Sequence, residues 1–227
     1  MSVARAWLAA AWAICRKDLR AEFRTRYALS AIGLFAIVTL TVISFALGPF
    51  GLGRDLLAAL LWVVLFFAAM AGLARVFVHE EEAHTAPALR LAAPAGAVYL
   101  GKYLFNLALL LMLEALVVPL FIGMMNLEVG NPLLFLVLLS LGDLGLAGAT
   151  TTVAAMVAQA GARGALFTVL SFPLLIPLLI SSIEGTRLSL AGAGLAEVWP
   201  SLQVLSAYAV AMVAVSLMVF PAIWTES

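Results

Sequence analysis

The 227-residue chain is 65% hydrophobic and 11% charged, and its formal net charge is zero. A soluble domain carries about 45–50% apolar and about 25% charged residues, so this sequence cannot cover a globule with polar surface and belongs in a bilayer. A neutral chain offers no basic face for nucleic acid. The single cysteine, Cys15, excludes an internal disulfide and a Cys-x-x-Cys metal or redox motif.

The N-terminal segment, residues 1–27, predicts an amphipathic helix rather than a cleavable signal peptide, because its charges are spread along its length. Its apolar and basic side chains recur at helical spacing on two faces, Leu8, Trp12, Cys15, Leu19 and Phe23 on one and Arg16, Arg20 and Arg24 on the other. Such a helix lies in the membrane interface with its arginines near the lipid headgroups. The alternative is a frayed basic tail that only sets the topology.

Six apolar stretches follow, each long enough for a membrane-spanning helix of roughly 20 residues. They cover about residues 28–47, 56–78, 98–125, 133–158, 165–183 and 202–224. Turn residues separate most of them, whereas the Gly-rich break at 184–201 is long enough for short helices that dip into the membrane surface. The chain is therefore predicted to form a single transmembrane domain, residues 1–227.

The basic residues are distributed unequally between the predicted loops. If the N-terminus is cytoplasmic, ten of the twelve lysines and arginines lie on the inside, and only Arg54 and Arg187 lie outside. The positive-inside rule then places both termini in the cytoplasm, together with the most polar stretch of the chain, residues 79–97.

This polar stretch predicts a short helix between the second and third spans. Thr85 is suited to cap the helix, Pro87 is tolerated in its first turn, and Pro94 ends it. Leu91 offers apolar contact beside the candidate docking residues. These are Glu80, Glu81, Glu82, Thr85, Leu89 and Arg90. The three acids lie favourably at the positive end of the helix. The functional interpretation is a docking helix for a cytoplasmic partner, and the alternative is a solvated loop.

Two acidic residues lie within predicted spans, Glu114 in the third and Asp143 in the fourth. A charge at a helix centre costs roughly 2.5–3.5 kcal/mol, so such residues face the protein interior and pair with something. They are either part of a substrate or proton path, or they form helix–helix hydrogen bonds or a polar seam between two copies of the chain. Gly142, Gly145 and Gly148 predict that the fourth span is central, since small residues permit close helix packing.

Motifs for catalysis are absent from the sequence. No phosphate-binding loop and no H-E-x-x-H zinc motif occur, and no serine–histidine–acid set can be assembled. Both histidines, His79 and His84, fall in the polar loop beside three acids, a pattern more typical of a solvated face than of a haem site. We predict no catalytic residue and no metal site, and therefore a non-enzymatic protein that moves or organises something.

Four stretches, taken in order, resemble the CcmB family, or haem exporter protein B, the permease subunits of the cytochrome c maturation ABC transporter. They are "CRKDLRAEFRTRY", the run "LLWVVLFFAAMAGLARVFVHEEEAHTAPALRLAAPAGAVYLGKYLFN", "LEALVVPLF" and "LSFPLLIPLLISSIEGT". The chain departs from the family pattern at "HTAPALR", where a Gly-Thr-Leu-Glu type sequence is usual, and at Asp143, where a small neutral residue is more common.

The resemblance implies a type-2 (ABCG-like, type V) permease fold in the bacterial inner membrane, with two copies of the chain paired. A separate ATPase, CcmA, would bind ATP and dock on the loop at 79–97. CcmC and CcmD would complete the complex, and the haem-loaded chaperone CcmE would be released. Haem would be handled by the complex, with no cofactor bound directly by this chain, and membrane lipid would surround it.

Two other interpretations stay open from the sequence alone. A permease of the same fold could export another substrate, such as a drug or polysaccharide. A membrane scaffold would need no ATPase. A membrane enzyme is least consistent with the sequence, because no catalytic set exists.

Overall fold

A computed structural model describes residues 3–47, 53–73, 76–77, 80, 85–159 and 165–225. These residues form eight helices and no strand. The helices are α1 (Val3–Thr25), α2 (Tyr27–Leu47), α3 (Arg54–Leu73), α4 (Ala86–Ala92), α5 (Ala95–Met125), α6 (Pro132–Gln159), α7 (Ala165–Leu190) and α8 (Leu195–Thr225). All except α1 and α4 are long and apolar enough to cross a bilayer. The prediction of an all-α membrane fold with six spans is therefore confirmed.

Helix α6 lies at the centre of the bundle and packs against α5, α7 and α8. Its glycines permit this central position. A Cβ atom added at Gly142 would fall 2.1 Å from the ring of Trp62 in α3, and one at Gly145 would fall 2.5 Å from Leu178 in α7. Real Cβ atoms do not approach so closely, so only glycine allows these helices to meet here.

The predicted break at residues 184–201 is wrong over most of its length. Helix α7 continues to Leu190, and α8 begins at Leu195 after a turn of four residues. Gly192 has a φ of +82°, a left-handed conformation that favours glycine. No separate surface helix occupies the break.

Packing explains why the glycine-rich stretch stays helical. The indole Nε1 of Trp62 donates a 2.9 Å hydrogen bond to the buried hydroxyl of Thr186. Gly185 lies against the side chain of Leu138 in α6, where an added Cβ would come within 2.5 Å. Gly185, which in the sequence favours a break in the helix, is thus a site of close contact between two helices.

Helix α1 is joined to the first span by a single residue. Arg26 has a φ of +54°, which is uncommon for a residue with a side chain. The carboxylate of Glu22 accepts a 2.9 Å hydrogen bond from the backbone N–H of Leu29, in the first turn of α2. The junction is therefore a sharp corner braced by a side chain.

Helix α1 packs against the first turns of α5. Its buried face consists of Ala11, Ile14, Cys15, Asp18 and Glu22. A Cβ added at Gly101 in α5 would fall 2.8 Å from both the carbonyl oxygen of Ala11 and the side chain of Ile14, so the two helices meet at this glycine. We call the end of the bundle that carries α1, α4 and the last turns of α8 the basic end.

The predicted single apolar face of α1 is divided in two. Cys15 is buried against the protein and Leu19 is half-buried, whereas Leu8, Trp12 and Phe23 are 55%, 60% and 53% exposed. The predicted basic face is fully exposed on the described helix. One apolar side of α1 therefore contacts α5, and the neighbouring side is free to contact lipid, as for an interfacial helix.

Candidate functional site

Helix α4 lies at the basic end, between α3 and α5. Thr85 occupies its N-cap position, but its hydroxyl makes no capping bond. It donates instead to the carboxylate of Glu80, at 2.5 Å, and its backbone N–H donates to the Glu80 carbonyl at 2.9 Å. Thr85 therefore occupies the predicted cap position, but its hydroxyl bonds Glu80 rather than the backbone of the helix. The residue ties the start of α4 to Glu80.

Glu80 lies in a buried group of four charged side chains. We call Lys17 and Asp18 of α1, Glu80, and Lys102 of α5 the ion cluster. The Nζ atom of Lys102 lies 2.8 Å from Glu80 Oε1 and 2.9 Å from Asp18 Oδ2. Lys17 pairs with both acids, its Nζ lying 3.2 Å from Asp18 Oδ1. Two lysines face two carboxylates, so the formal charges balance.

The neighbouring charges keep Glu80 and Lys17 of the ion cluster charged at neutral pH. Burial alone raises the pKa of Glu80, but Lys102, together with hydrogen bonds from Lys17 and Thr85, outweighs burial and lowers this pKa to about 2. For Lys17, burial acts to lower the pKa, whereas the bond to Glu80 and the charge of Asp18 raise it above the usual lysine value.

Burial makes the ion cluster sensitive to the loss of its three buried members, Asp18, Glu80 and Lys102. Lys102 and Glu80 are each only 2% exposed, and Asp18 is 9% exposed. Removing one partner of a buried ion pair leaves an uncompensated charge and costs roughly 3–5 kcal/mol. The ion cluster therefore connects three parts of the chain, namely α1 through Asp18, Glu80, and α5 through Lys102.

A second group of side chains connects the same region to α8. The guanidinium carbon of Arg90 in α4 lies 5.0 Å from the ring centroid of Trp224. Phe77 contacts both Phe220 and Trp224, with centroid distances of 5.6 and 6.0 Å, and Phe220 in turn contacts Tyr99 of α5. Helix α4 is thus held on one side by the ion cluster and on another by these aromatic rings.

The outer side of α4 offers a surface for a partner. Leu91 is 92% exposed, the most exposed of the large apolar side chains described. A groove of about 380 Å³ opens between α1 and α4. It is lined by Lys17, Asp18, Ala21, Glu80, Thr85, Ala88, Leu89 and Ala92. The exposed Leu91 and three of the groove residues, Ala88, Leu89 and Ala92, belong to the same short helix.

The candidate docking residues divide into three groups. Glu80 is buried and Arg90 is half-buried on Trp224, so both anchor α4, while Thr85 and Leu89 line the groove. Glu81 and Glu82 lie outside the described residues, as do His79 and His84.

Sequence reasoning missed the other three members of the ion cluster, Lys17, Asp18 and Lys102. One signal was present for Lys102, because it is the only basic residue in the long apolar helix α5. A lysine at such a position needs a counter-ion or a route to water.

The structure brings Glu114 and Asp143 together between α5 and α6 of one chain. Asp143 is 1% exposed. Asn106 donates a 2.8 Å hydrogen bond to Thr151 in the same seam. Asn106 and Glu114 are eight residues apart in α5, and Asp143 and Thr151 are eight residues apart in α6. Both contacts therefore fit one antiparallel alignment of the two helices. The contact lies within one chain.

No group of three potential metal ligands occurs among the described residues. A family model described as CcmB protein matches residues 9–225 of the chain. No curated protein matches it.

Proposed function

Since the chain belongs to the CcmB family, the membrane subunits of the haem-exporting cytochrome c maturation ABC transporter, we propose that it couples ATP hydrolysis by a separate ATPase to haem export or to release of the haem-loaded chaperone. The family is a permease subunit with an ATPase partner, CcmA. ATP would be bound by that partner, and haem would be handled by the complex without being a resident cofactor of this chain.

The exposure of Leu91 is the observation that carries the coupling proposal. Helix α4 is anchored to α1 and α5 through Glu80 and to α8 through Arg90, yet it presents a 92% exposed leucine outward. A short helix that is anchored to the bundle and has an exposed apolar side chain is suited to bind a partner. It can then transmit a displacement of that partner to the spans. Burial of one leucine in an interface is worth about 1.5–3 kcal/mol.

The remaining partners and the location follow from family membership and the charge distribution, and they belong to the proposal. CcmC and CcmD would complete the complex, a second copy of the chain would pair with the first, and CcmE would receive haem on the outer side. The chain would span the bacterial inner membrane with both termini and α4 in the cytoplasm. The lipid-facing side of α1, with exposed Trp12, supports a position at the membrane interface.

The test compares two serine substitutions at exposed leucines. Leu91→Ser removes the outward contact of α4, and Leu133→Ser makes the same change at the opposite end of the bundle, where Leu133 is 72% exposed. We expect the ATPase to co-purify several-fold less with Leu91→Ser and cytochrome c yield to fall, with Leu133→Ser at the wild-type level. Equal retention of the ATPase by both variants would contradict docking at α4.

Two further outcomes would point to the other functions. Normal cytochrome c yield in cells lacking the chain would favour export of another substrate. Normal yield with an inactive ATPase bound to the chain would favour a scaffold.

A further inference from the structure

We propose that Lys102 is a positioning residue that connects the docking helix to α1, so that a displacement of α4 also moves α1. This inference rests on the proposed coupling to an ATPase. Lys102 lies in α5, yet its Nζ atom is within 2.9 Å of carboxylates from two other segments, Asp18 of α1 and Glu80 before α4. It is the member of the ion cluster that is both almost fully buried and in contact with both acids.

The connection from α4 to the ion cluster is short. Leu89 in α4 donates its backbone N–H to the Thr85 carbonyl at 3.0 Å, and Thr85 in turn bonds Glu80 through both its hydroxyl and its backbone N–H. Glu80 meets Lys102, which meets Asp18. A displacement of α4 therefore reaches α1 through four successive polar contacts.

Burial makes this path rigid. If α1 or Glu80 moved alone, a carboxylate or the Lys102 ammonium would be left buried without its counter-ion. Such an unpaired buried charge is strongly unfavourable. Lys17 contributes less to this constraint, because its side chain is 50% exposed and water can replace its partners.

Cys15 provides a direct probe of α1. It is the only cysteine of the chain, it is 2% exposed, and it lies one turn before Asp18 on the face that contacts α5. Burial, and to a lesser degree the charge of Asp18, raise the pKa of its thiol. A buried thiol with a raised pKa reacts slowly with maleimide, so its labelling rate reports separation of α1 from α5.

The first arm of the experiment uses the full chain alone in nanodiscs and is independent of any ATPase. Labelling of Cys15 is followed by mass spectrometry of its peptide. We expect Lys102→Met to raise the rate at least about tenfold, because one partner of a buried pair is lost. Lys102→Arg and the control Lys17→Met should stay within about twofold of wild type. A slow, wild-type rate in Lys102→Met would overturn the proposal.

The second arm uses the complex with its ATPase, with and without a non-hydrolysable ATP analogue. We expect the analogue to change the rate at Cys15 in wild type. Glu80→Gln keeps the contact of Lys102 with Asp18, so its rate without nucleotide should match wild type while the response to nucleotide is lost. A full response in Glu80→Gln would overturn the connection. Failure of the ATPase to bind wild type would count against the proposed function and leave the first arm intact.

Discussion

The guanidinium of Arg90 lies over the ring of Trp224, with its carbon 5.0 Å from the ring centroid. This contact joins α4, which has seven residues, to the last turns of α8. A helix of this length is unstable in isolation, so its position depends on such tertiary contacts. Arg90 was predicted to contact the ATPase, and its stacking on Trp224 assigns it an internal role as well.

We predict that Arg90 and Trp224 are energetically coupled. A double-mutant cycle with Arg90→Ala and Trp224→Leu should give a coupling energy of about 0.5–2 kcal/mol, the range for a partly desolvated cation–π contact. Thermal unfolding in detergent provides the measurement. Arg90→Lys should keep part of the coupling, since a lysine also binds an aromatic face. Strict additivity of the two substitutions would show that the contact contributes nothing.

The stability contributed by Glu80 should depend on pH in a specific direction. Its pKa is lowered to about 2 in the folded protein, where Glu80 faces Lys102, Lys17 and Thr85, and where both lysines also pair with Asp18. A lowered carboxyl pKa contributes stability above the unfolded value of about 4.5, and this contribution is lost as pH falls towards 2. The difference in unfolding temperature between wild type and Glu80→Gln should therefore be constant from pH 7 to 5 and shrink below pH 4.5. A difference that stays constant down to pH 3 would contradict this assignment.

Gly142 should not tolerate alanine. The added Cβ would fall 2.1 Å from the Trp62 ring, so the indole must move and its hydrogen bond to Thr186 must break. Overpacking costs about 1–3 kcal/mol, and loss of the bond adds to it. Gly123→Ala is the matched control, because nothing lies within 4 Å of a Cβ there and alanine favours helix by about 1 kcal/mol. Unfolding temperature should fall for the first substitution and hold or rise for the second.

The pair of Glu114 and Asp143 should accept an amide at one position. Two carboxyl groups can lie together without a cation when one of them donates a hydrogen bond to the other. The nearest basic residue along α5, Lys102, is 12 residues away, about 18 Å along the helix. Asp143→Asn keeps a donor in the pair and should cost less than about 1 kcal/mol, whereas Asp143→Leu leaves Glu114 unpaired and should cost about 1–3 kcal/mol. Equal unfolding temperatures for Asp143→Asn and Asp143→Leu would argue against a hydrogen bond between Glu114 and Asp143.

The spans were predictable because their signal is local. Length and apolar content locate six membrane helices, and the turn at Asn126 ends α5 as expected, with Asn126 in the left-handed conformation. The extent of α7 was not predictable, because Gly185 breaks helices by intrinsic propensity and here fits against Leu138. Only the neighbouring helix decides between these outcomes.

The ion cluster was not predictable for a related reason. The members of the ion cluster come from three distant parts of the chain, namely Lys17 with Asp18, Glu80, and Lys102. No local sequence pattern predicts that these side chains meet. The division of the apolar side of α1 was not predictable either, because helical periodicity places Cys15 and Trp12 on the same apolar face. It does not distinguish the side that touches protein from the side that touches lipid.

The corner at Arg26 gives α1 the geometry of a lever. Arg26, with its positive φ, is the pivot, which we call the fulcrum. The hydrogen bond from the Leu29 N–H to the Glu22 carboxylate holds this pivot against α2. Asp18 lies about 12 Å from the fulcrum along the helix, and Trp7 lies about 28 Å away, at 1.5 Å per residue. A 1 Å displacement applied at Asp18 would therefore swing Trp7, which packs over Gly96, by more than 2 Å. A small movement of α4 would thus be amplified at the far end of α1.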